Sequence, residues 1–273
     1  MRRSRRMLVA AAGAVVALLA GSTTAGASTA VRYVALGDSY SSGVGVGSYL
    51  AASGGCLRSA AAYPELWAKT HAHASFRSVA CSGATTADVL AGQVGALGPR
   101  TTLVSISIGG NDVGFAKVMT DCVLYSTGTC TGEVTAAEND ARTELPAALD
   151  QVYAAIRDRA PHAHVVVLGY PRLYHVGLWY CIGLSDTARA KINEGADVLD
   201  SVIAAAAERA GFTFADVRDR FGAGHEICDG SSWLHSVDWD DMAQSYHPTA
   251  SGQSGGYLPA FSQAVSAVSA ALT

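Results

Sequence analysis

The chain has 273 residues, of which 49% are hydrophobic and 15% are charged, and its formal net charge at pH 7 is −4. A chain of this length and composition is able to bury a sizeable core. Its negative charge argues against nucleic acid or an anionic membrane surface as an electrostatic partner. The length, composition and charge are compatible with a globular enzyme or a binding module.

The first 27 residues have the three parts of a secretory signal peptide. A basic head is followed by the apolar run Met7–Ala20 and the small-x-small cleavage site Ala25-Gly26-Ala27. The apolar run is too short for a membrane-spanning helix of about 20 residues. The segment Ser4-Arg5-Arg6-Met7-Leu8 also resembles a twin-arginine export signal, so Sec and twin-arginine export both stay open. The basic head contains Arg2, Arg3, Arg5 and Arg6.

Cleavage after Ala27 would remove 27 of the 273 residues and leave 246. Four arginines would be removed with the signal peptide. The remaining chain would have 15 basic and 23 acidic residues, a net charge of −8. We expect a secreted, extracellular protein whose mature part, residues 28–273, is a single domain, because no linker, repeat or change of composition interrupts it.

Short apolar segments alternate with segments of helical spacing along the mature chain. This alternation predicts an α/β fold with a central parallel sheet and helices on both faces. The predicted strands are Val31–Leu36, Phe76–Ala80, Leu103–Ile108, His164–Leu168 and Phe212–Val217. The predicted helices are Tyr63–Thr70, Thr85–Val94, Ala136–Ala160, Asp186–Ala210 and Thr249–Leu272, the last with an early interruption at Pro259.

Two excursions interrupt this alternation. The segment Lys117–Val134 carries Cys122 and Cys130, which can staple a short loop. The segment Tyr170–Leu184 is rich in aromatic residues. Both follow strands at the edge that also carries Ser39, so they are candidate walls of a substrate pocket. The alternative is that the aromatic residues only cover the end of the sheet.

All six cysteines lie in the mature part of the chain. An even number in an exported protein predicts three disulfides, and sequence alone leaves fifteen pairings open. A metal site is disfavoured because no pair has CxxC spacing. The cysteines are Cys56, Cys81, Cys122, Cys130, Cys181 and Cys228.

Ser39 follows the first predicted strand directly, within Gly37-Asp38-Ser39-Tyr40. Ligands meet an open α/β sheet at the carboxyl ends of its strands. A serine there becomes a nucleophile when a base removes its proton, and His247, near the end of the chain, is the candidate base. The backbone N–H groups of Ser39 and Gly83 and the side chain of Asn111 are candidate donors to the oxyanion.

These residues make the chain resemble the SGNH (GDSL-like) hydrolase family, which is named for Ser, Gly, Asn and His in four blocks. The blocks are Gly37-Asp38-Ser39-Tyr40, Gly83, Gly109-Gly110-Asn111-Asp112 and His247-Pro248. The resemblance covers essentially the whole mature chain and is closest to the secreted bacterial lipases, phospholipases and esterases with three disulfides. It implies a flavodoxin-like three-layer α/β/α sandwich. It also implies the pairs Cys56–Cys81, Cys122–Cys130 and Cys181–Cys228.

The last block departs from the family pattern, because many members carry an aspartate where this chain has Gln244. The branch that it resembles uses a Ser-His dyad, in which a backbone carbonyl orients the histidine. This implies that the oxygen of Ser245 orients His247. The alternative is a triad completed by one of the nearby acidic residues Asp238, Asp240 and Asp241.

Several other residues have simpler interpretations. Asp38 and Asp112 are expected to cap or brace turns. The segment Gly252–Gly256 matches G-x-S-x-G but follows a polar loop, and no histidine comes after it, so it is not expected to be a nucleophile elbow. Gly43–Gly47 lacks the spacing of a dinucleotide loop. No metal ligation is expected at His71, His73, His162 or His164; His225 and His235 are possible spare bases, and His175 is unassigned.

The residues and the resemblance together predict a serine ester hydrolase that works through an acyl-enzyme without metal or cofactor. The resemblance favours fatty-acyl esters, with triacylglycerols first and glycerophospholipids second. We expect a monomer that binds lipid or another ester and no nucleic acid. The alternatives are a carbohydrate O-acetyl esterase on the same fold and a non-catalytic surface-binding module.

Overall fold

The computed structural model of the chain describes residues 31–71 and 75–271. The predicted signal peptide and His73 lie outside these residues. Short 3₁₀ helices occur at Ala51–Cys56, Gln93–Ala96 and Met242–Gln244, and a π-helical segment at Gly252–Tyr257. The strands and α-helices are β1 Arg32–Gly37, α1 Ser39–Ser42, α2 Tyr63–Thr70, β2 Ser75–Ser78, α3 Thr86–Ala91, β3 Leu103–Ser107, α4 Phe115–Leu124, α5 Thr127–Thr143, α6 Leu145–Arg159, β4 His164–Leu168, α7 Asp186–Arg209, β5 Thr213–Ala215, α8 Arg218–Gly222 and α9 Leu258–Ala271.

The strands form a parallel sheet in the order β2-β1-β3-β4-β5. Every predicted strand is present at nearly its predicted position, so this part of the prediction is confirmed. The chain runs from β1 to β2 on one side and then returns to β3 on the other. The gap between β1 and β3 is therefore the topological switch point, where ligands of such sheets bind at the carboxyl ends of the strands.

Helices cover both faces of the sheet, as predicted. On one face, Tyr33 of β1 packs against Trp67 of α2 and Phe261 of α9, with ring centroids 5.3 Å apart in both pairs. On the other face, α3 contacts α6 and α6 contacts α7. The result is the three-layer α/β/α arrangement, which buries β3 and β4 almost completely.

Strand β3 carries two buried serines, and the hydroxyl groups of both are hydrogen-bonded. Ser105 Oγ lies 2.6 Å from the hydroxyl of Tyr33 and 3.1 Å from that of Tyr63. Ser107 Oγ lies 2.8 Å from Ser41 Oγ and donates to the carboxylate of Asp38 at 2.7 Å. Buried polar groups are tolerated when they have such partners. The two bonds of Ser107 connect the segment after β1 to the centre of the sheet.

The prediction of one helix over Ala136–Ala160 is wrong, as is the interpretation of Lys117–Val134 as a loop. Helix α5 begins at Thr127 and ends at Thr143, and α6 begins at Leu145. Pro146 lies in the first turn of α6, where its missing N–H costs nothing, but it cannot continue α5. Residues 117–134 therefore belong mostly to α4 and α5 rather than to an irregular loop.

The three disulfides are those that the family resemblance implied. Cys122–Cys130 joins α4 to α5, and Cys56–Cys81 joins two loops beside the end of β1. Cys181–Cys228 joins the loop between β4 and α7 to the segment after α8. The predicted number and pairing of the bridges are confirmed.

The last helical segment begins at Ala250, one residue after its predicted start. Its first turns form the π-helical segment, in which the N–H of Leu258 bonds to the carbonyl of Gln253. Pro259 follows directly and lacks an N–H, so the irregularity lies at the predicted interruption. No helix in the described residues is both long and apolar enough to cross a membrane.

Candidate active site

The turn after β1 holds Ser39 at the switch point of the sheet. Gly37 ends β1 with φ +119°, and a Cβ atom there would lie 2.4 Å from the carbonyl oxygen of Ser107. The position therefore requires glycine. Asp38 caps the following helix by accepting from the N–H of Tyr40 at 3.0 Å, which confirms its predicted role in the turn. Ser39 is then the first residue of α1.

The structure brings His247 to Ser39 over a sequence distance of 208 residues. His247 Nε2 lies 2.7 Å from Ser39 Oγ, and His247 Nδ1 lies 3.1 Å from the carbonyl oxygen of Ser245. A carbonyl can only accept, so Nδ1 carries the proton and Nε2 is free to accept from the serine. Burial lowers the pKa of His247 to about 4, so the imidazole is neutral at pH 7.

Two of the three acidic residues near His247, Asp238 and Asp241, accept hydrogen bonds from other groups. Asp238 accepts from the N–H groups of Asp240 and Asp241 and from the amide of Gln244, and these bonds hold its pKa below the usual range. Asp241 caps the 3₁₀ turn that follows it. In the part of the chain that the structure describes, none of the three hydrogen-bonds to His247. The geometry is that of a dyad oriented by a carbonyl.

Asn111 and Gly83 lie on the loops that follow β3 and β2. The side-chain amide of Asn111 donates one of its two hydrogens to the carbonyl of Ala84 at 3.0 Å, which leaves the other for a second acceptor. Asn111 borders the same cavity as Ser39. Gly83 precedes Ala84 directly and has φ +77°. The bond from Asn111 thus fixes the segment that contains Gly83, although Gly83 itself is not among the residues lining this cavity.

Asp112 joins these two loops, in agreement with its predicted bracing role. Its carboxylate accepts from the N–H of Thr86 at 3.1 Å and from the Thr86 hydroxyl at 2.5 Å. The N–H of Cys81 also donates to the carbonyl of Gly37 at 2.9 Å. The ends of β1, β2 and β3 are therefore held together by specific hydrogen bonds around Ser39.

An apolar cavity extends from Ser39 between α4, α5 and α7. Both excursions contribute to its lining, which confirms that they form pocket walls. The prediction that the aromatic residues of Tyr170–Leu184 line the pocket is confirmed only in part. Tyr170 lines the cavity, whereas Trp179 and Tyr180 are exposed outside it. Two acidic residues, Asp38 and Glu138, are among those lining the cavity, and the carboxylate of Glu138 lies 2.8 Å from Lys191 Nζ. The apolar lining includes Val113, Phe115, Val118, Met119, Leu173 and Ile192.

Known proteins resemble this chain over most of its length. The family profile of the GDSL-like lipases and acylhydrolases matches residues 35–254. The chain belongs to this family. Lipase 1 of Streptomyces coelicolor is 56% identical over 95% of this chain and 98% of its own length.

Two solved structures extend the comparison to three dimensions. The extracellular lipase of Streptomyces rimosus is 54% identical and has a TM-score of 0.84, covering 86% of this chain and 100% of that one. The phospholipase A1 of Streptomyces albidoflavus NA297 is 52% identical with the same TM-score, covering 86% of this chain and 99% of that one. This GDSL-like protein is a carboxylic ester hydrolase.

Several residues that support the site in this GDSL-like hydrolase were not identified from the sequence. Gln93, from the 3₁₀ turn after α3, bonds to both the N–H and the carbonyl of Gly37, at 2.7 and 2.9 Å. Gln253 donates to the carbonyl of Tyr40 at 3.0 Å and accepts from the N–H of Tyr63 at 2.9 Å. Gln93 belongs to no recognisable motif, and Gln253 lies in the Gly252–Gly256 segment, which does not indicate this role. Each side chain reaches backbone groups far away in the sequence.

Tyr40 occupies the position after Ser39 and connects the segment that carries Ser39 to the segment that carries His247. Its hydroxyl donates to the carbonyl of Tyr246 at 2.8 Å, and its ring lies 5.3 Å from that of His247. Tyr246 has φ +66°, a conformation that non-glycine residues adopt at a cost. The bond from its hydroxyl to the carbonyl of Tyr246 gives Tyr40 a structural role.

The remaining candidates lie in other environments. The hydroxyl of Ser254, in the Gly252–Gly256 segment, donates to Ala250 within its own helix. His235 Nε2 bonds to the carbonyl of Gly45, and His225 Nδ1 to that of Ser231, so neither is paired with Ser39. His164 bonds to the hydroxyl of Thr213. None of these groups contacts the dyad in the described residues.

His175 has two acidic neighbours, Glu226 and Asp229. Its ring and the carboxylates of Glu226 and Asp229 offer atoms that all lie within 4.8 Å of one another, a spacing that metal ligands also show. His175 Nδ1 lies 2.6 Å from Asp229 Oδ1, so the pair already joins the loop after β4 to the segment after α8.

Proposed function

We propose that this GDSL-like hydrolase is an exported lipase in which Ser39 is the nucleophile and His247 the general base. The observation that carries the proposal is the 2.7 Å contact between His247 Nε2 and Ser39 Oγ at the end of an apolar cavity. A serine that is paired in this way with a neutral imidazole is the arrangement that acyl transfer requires.

In the proposed reaction, His247 Nε2 accepts the hydroxyl proton as Ser39 Oγ attacks the ester carbonyl. The Nδ1–H bond to Ser245 O keeps the ring in place while it is charged. The oxyanion accepts from the N–H groups of Ser39 and Gly83 and from the free hydrogen of Asn111, and each such donor lowers the barrier by roughly 2.7–4 kcal/mol. His247 then protonates the leaving alkoxide, and water hydrolyses the acyl-enzyme by the same route.

The lining of the cavity supports a fatty-acyl substrate. Apolar side chains from three helices and the loop after β4 surround the space beside Ser39, and they would replace the water around an alkyl chain. An acetyl group would leave most of this surface without a partner. We therefore place triacylglycerols first and glycerophospholipids second, in keeping with the relatives named lipase and phospholipase A1.

Export is part of the proposal. Residues 1–27 have the pattern of a signal peptide. Three disulfides join all six cysteines, and disulfides persist in oxidising compartments. The solved relative from S. rimosus is described as an extracellular lipase. We propose that residues 28–273 reach the medium as one domain.

The test is the release of fatty acid from emulsified triolein and from phosphatidylcholine. Wild type, Ser39→Ala and the matched control Ser254→Ala are compared, because Ser254 lies in the other candidate motif and is exposed. We expect Ser39→Ala to lose at least ~10³-fold in kcat and Ser254→Ala to match wild type.

Each outcome has a defined meaning. Activity that survives in Ser39→Ala would overturn the assignment of the nucleophile. Wild-type activity on acetylated xylan but on neither lipid would favour the carbohydrate O-acetyl esterase. Inactivity on all esters, including short soluble ones, would favour a binding module.

A further inference from the structure

The loop between β4 and α7 presents an unusual surface. Its segment Val176–Leu184, with the sequence VGLWYCIGL, contains no charged residue. Trp179 is 93% exposed and Ile182 is 95% exposed, while Tyr180 and Val176 are also exposed. Large apolar side chains grouped on a surface in this way mark an interaction site in a soluble protein.

The loop is attached to the fold at several points. Cys181 is bridged to Cys228, and the buried Arg189 donates to the carbonyls of Cys181 and Leu184 at 2.5 and 2.8 Å. At the base of the loop, Asn193 accepts from the N–H groups of the two residues at 173 and 174. The exposed side chains therefore project from a loop whose backbone is anchored in α7.

The same loop leads into the substrate cavity. Its first residues, Tyr170, Pro171 and Leu173, line the cavity that ends at Ser39. The far end of the loop is joined to the corner between α4 and α5, because Ser185 Oγ lies 2.9 Å from Thr127 Oγ1. That corner carries two more exposed apolar residues, Leu124 and Tyr125. Exposed apolar groups thus lie on two of the segments that build the cavity.

We propose that Trp179, Tyr180 and Ile182 form a docking surface that inserts into the surface of aggregated uncharged or zwitterionic lipid. The proposal rests on the proposed function, since the docked surface would supply the acyl chains that enter the cavity. Trp and Tyr favour the boundary between water and lipid, and aliphatic side chains gain by leaving water there. The segment has no cation to attract anionic headgroups, and the mature chain has an excess of acidic residues. Neutral or zwitterionic lipid is therefore the matching partner.

The binding test uses sedimentation with phosphatidylcholine vesicles. All proteins carry Ser39→Ala, so the lipid stays intact during the measurement. We expect the added pair Trp179→Ser and Ile182→Ser to weaken vesicle binding by about tenfold or more, because both side chains would no longer bury apolar surface. The matched control is Trp239→Ser, which removes an exposed tryptophan outside this loop and should leave binding unchanged.

A second readout separates docking from catalysis. With Ser39 restored, the Trp179→Ser/Ile182→Ser enzyme should hydrolyse a dissolved short-chain ester at the wild-type rate, while its rate on emulsified triolein falls by about the factor lost in binding. Equal loss on the dissolved ester would overturn the proposal, because the residues would then belong to the substrate pocket. Failure of the wild type on every ester would contradict the proposed function alone, since vesicle binding is measured without hydrolysis.

Three further outcomes would also overturn the docking proposal. The first is unchanged vesicle binding by the double variant, and the second is tighter binding to phosphatidylserine than to phosphatidylcholine vesicles. The third is a dimer of the parent protein that dissociates in the double variant, as measured by sedimentation equilibrium. In that case the surface would be an interface between copies of the chain.

Discussion

Burial gives His247 the property that a general base needs at neutral pH. Water is excluded around the ring, so the charged form is disfavoured and the pKa of His247 falls to about 4. The carbonyl of Ser245 fixes the proton on Nδ1 without supplying a negative charge. The family resemblance implied this partner, whereas Gln244 indicated only that the usual position for the acid of a triad holds an amide.

The pH dependence of kcat/KM tests this description. The base must be neutral, so activity is full well above the pKa of His247 in the free enzyme and is lost as the pH falls through it. For wild type acting on a dissolved uncharged ester, we expect an acid limb with a midpoint near pH 4 rather than near the ordinary value of 6.5. If activity is recovered on return to pH 7, the loss at low pH is assigned to titration rather than to irreversible acid unfolding.

Asp38 is the competing titratable group, because it lies beside Ser39 and burial raises its pKa to about 6. It bonds to Ser107 and to the hydroxyl of Tyr170. If the acid limb instead has a midpoint near 6 and disappears in Asp38→Asn, the limb belongs to this carboxyl and the assignment to His247 is wrong.

At the scale of the element, the end of β1 is completed by groups from outside the sheet. Gln93 bonds to both backbone groups of Gly37, and the N–H of Cys81 shares the carbonyl. The side-chain oxygen of Gln93 is the acceptor for the N–H of Gly37. Because the turn that carries Ser39 begins at Gly37, the 3₁₀ turn that carries Gln93 is part of its support.

Replacing Gln93 with methionine would leave the buried N–H of Gly37 without an acceptor. We expect Gln93→Met to lower the free energy of unfolding by about 1–3 kcal/mol in urea titrations. The matched control is Gln151→Met, at an exposed position on α6, which should change it by less than ~0.5 kcal/mol. A loss no larger than that of the control would show that the bond to Gly37 contributes little.

The elements that the sequence misassigned show where local patterns are insufficient. The spacing in Ala136–Ala160 fits one helix, yet the chain divides at Glu144 because Pro146 begins a new helix. Lys117–Val134 has weak helical signals and polar residues, but α4 and α5 form there by packing against each other and against α7. Tertiary contacts stabilise helices that propensity alone would not predict.

At the scale of the whole molecule, the three disulfides close loops of different length. The bridged residues are separated by 8 positions in Cys122–Cys130, 25 in Cys56–Cys81 and 47 in Cys181–Cys228. A bridge restricts the unfolded chain more strongly when it closes a longer loop. The bridges should therefore contribute unequally to stability.

Removing one bridge at a time by paired Cys→Ala changes gives a predicted order. We expect the free energy of unfolding to fall by about 2.5 kcal/mol without Cys122–Cys130, about 3.5 without Cys56–Cys81 and about 4 without Cys181–Cys228. Denaturant titrations of the three variants measure this. The reverse order would mean that contacts in the folded state, rather than loop closure, dominate the effect.

The sequence by itself determined the features that local signals encode. Alternating apolar strands and helices indicated the layered α/β fold, and four short blocks indicated the family and the positions of Ser39, Gly83, Asn111 and His247. The pairing of the cysteines also followed from the resemblance.

Only the tertiary structure decided which distant groups meet. It placed His247 Nε2 at 2.7 Å from Ser39 Oγ and showed that Gln93 and Tyr40 support the two segments. It also showed that the base of the loop between β4 and α7 lines the cavity, while the tip of this loop is exposed. These contacts join residues that are far apart in the chain, so they depend on how the helices and loops pack around the sheet rather than on any local pattern.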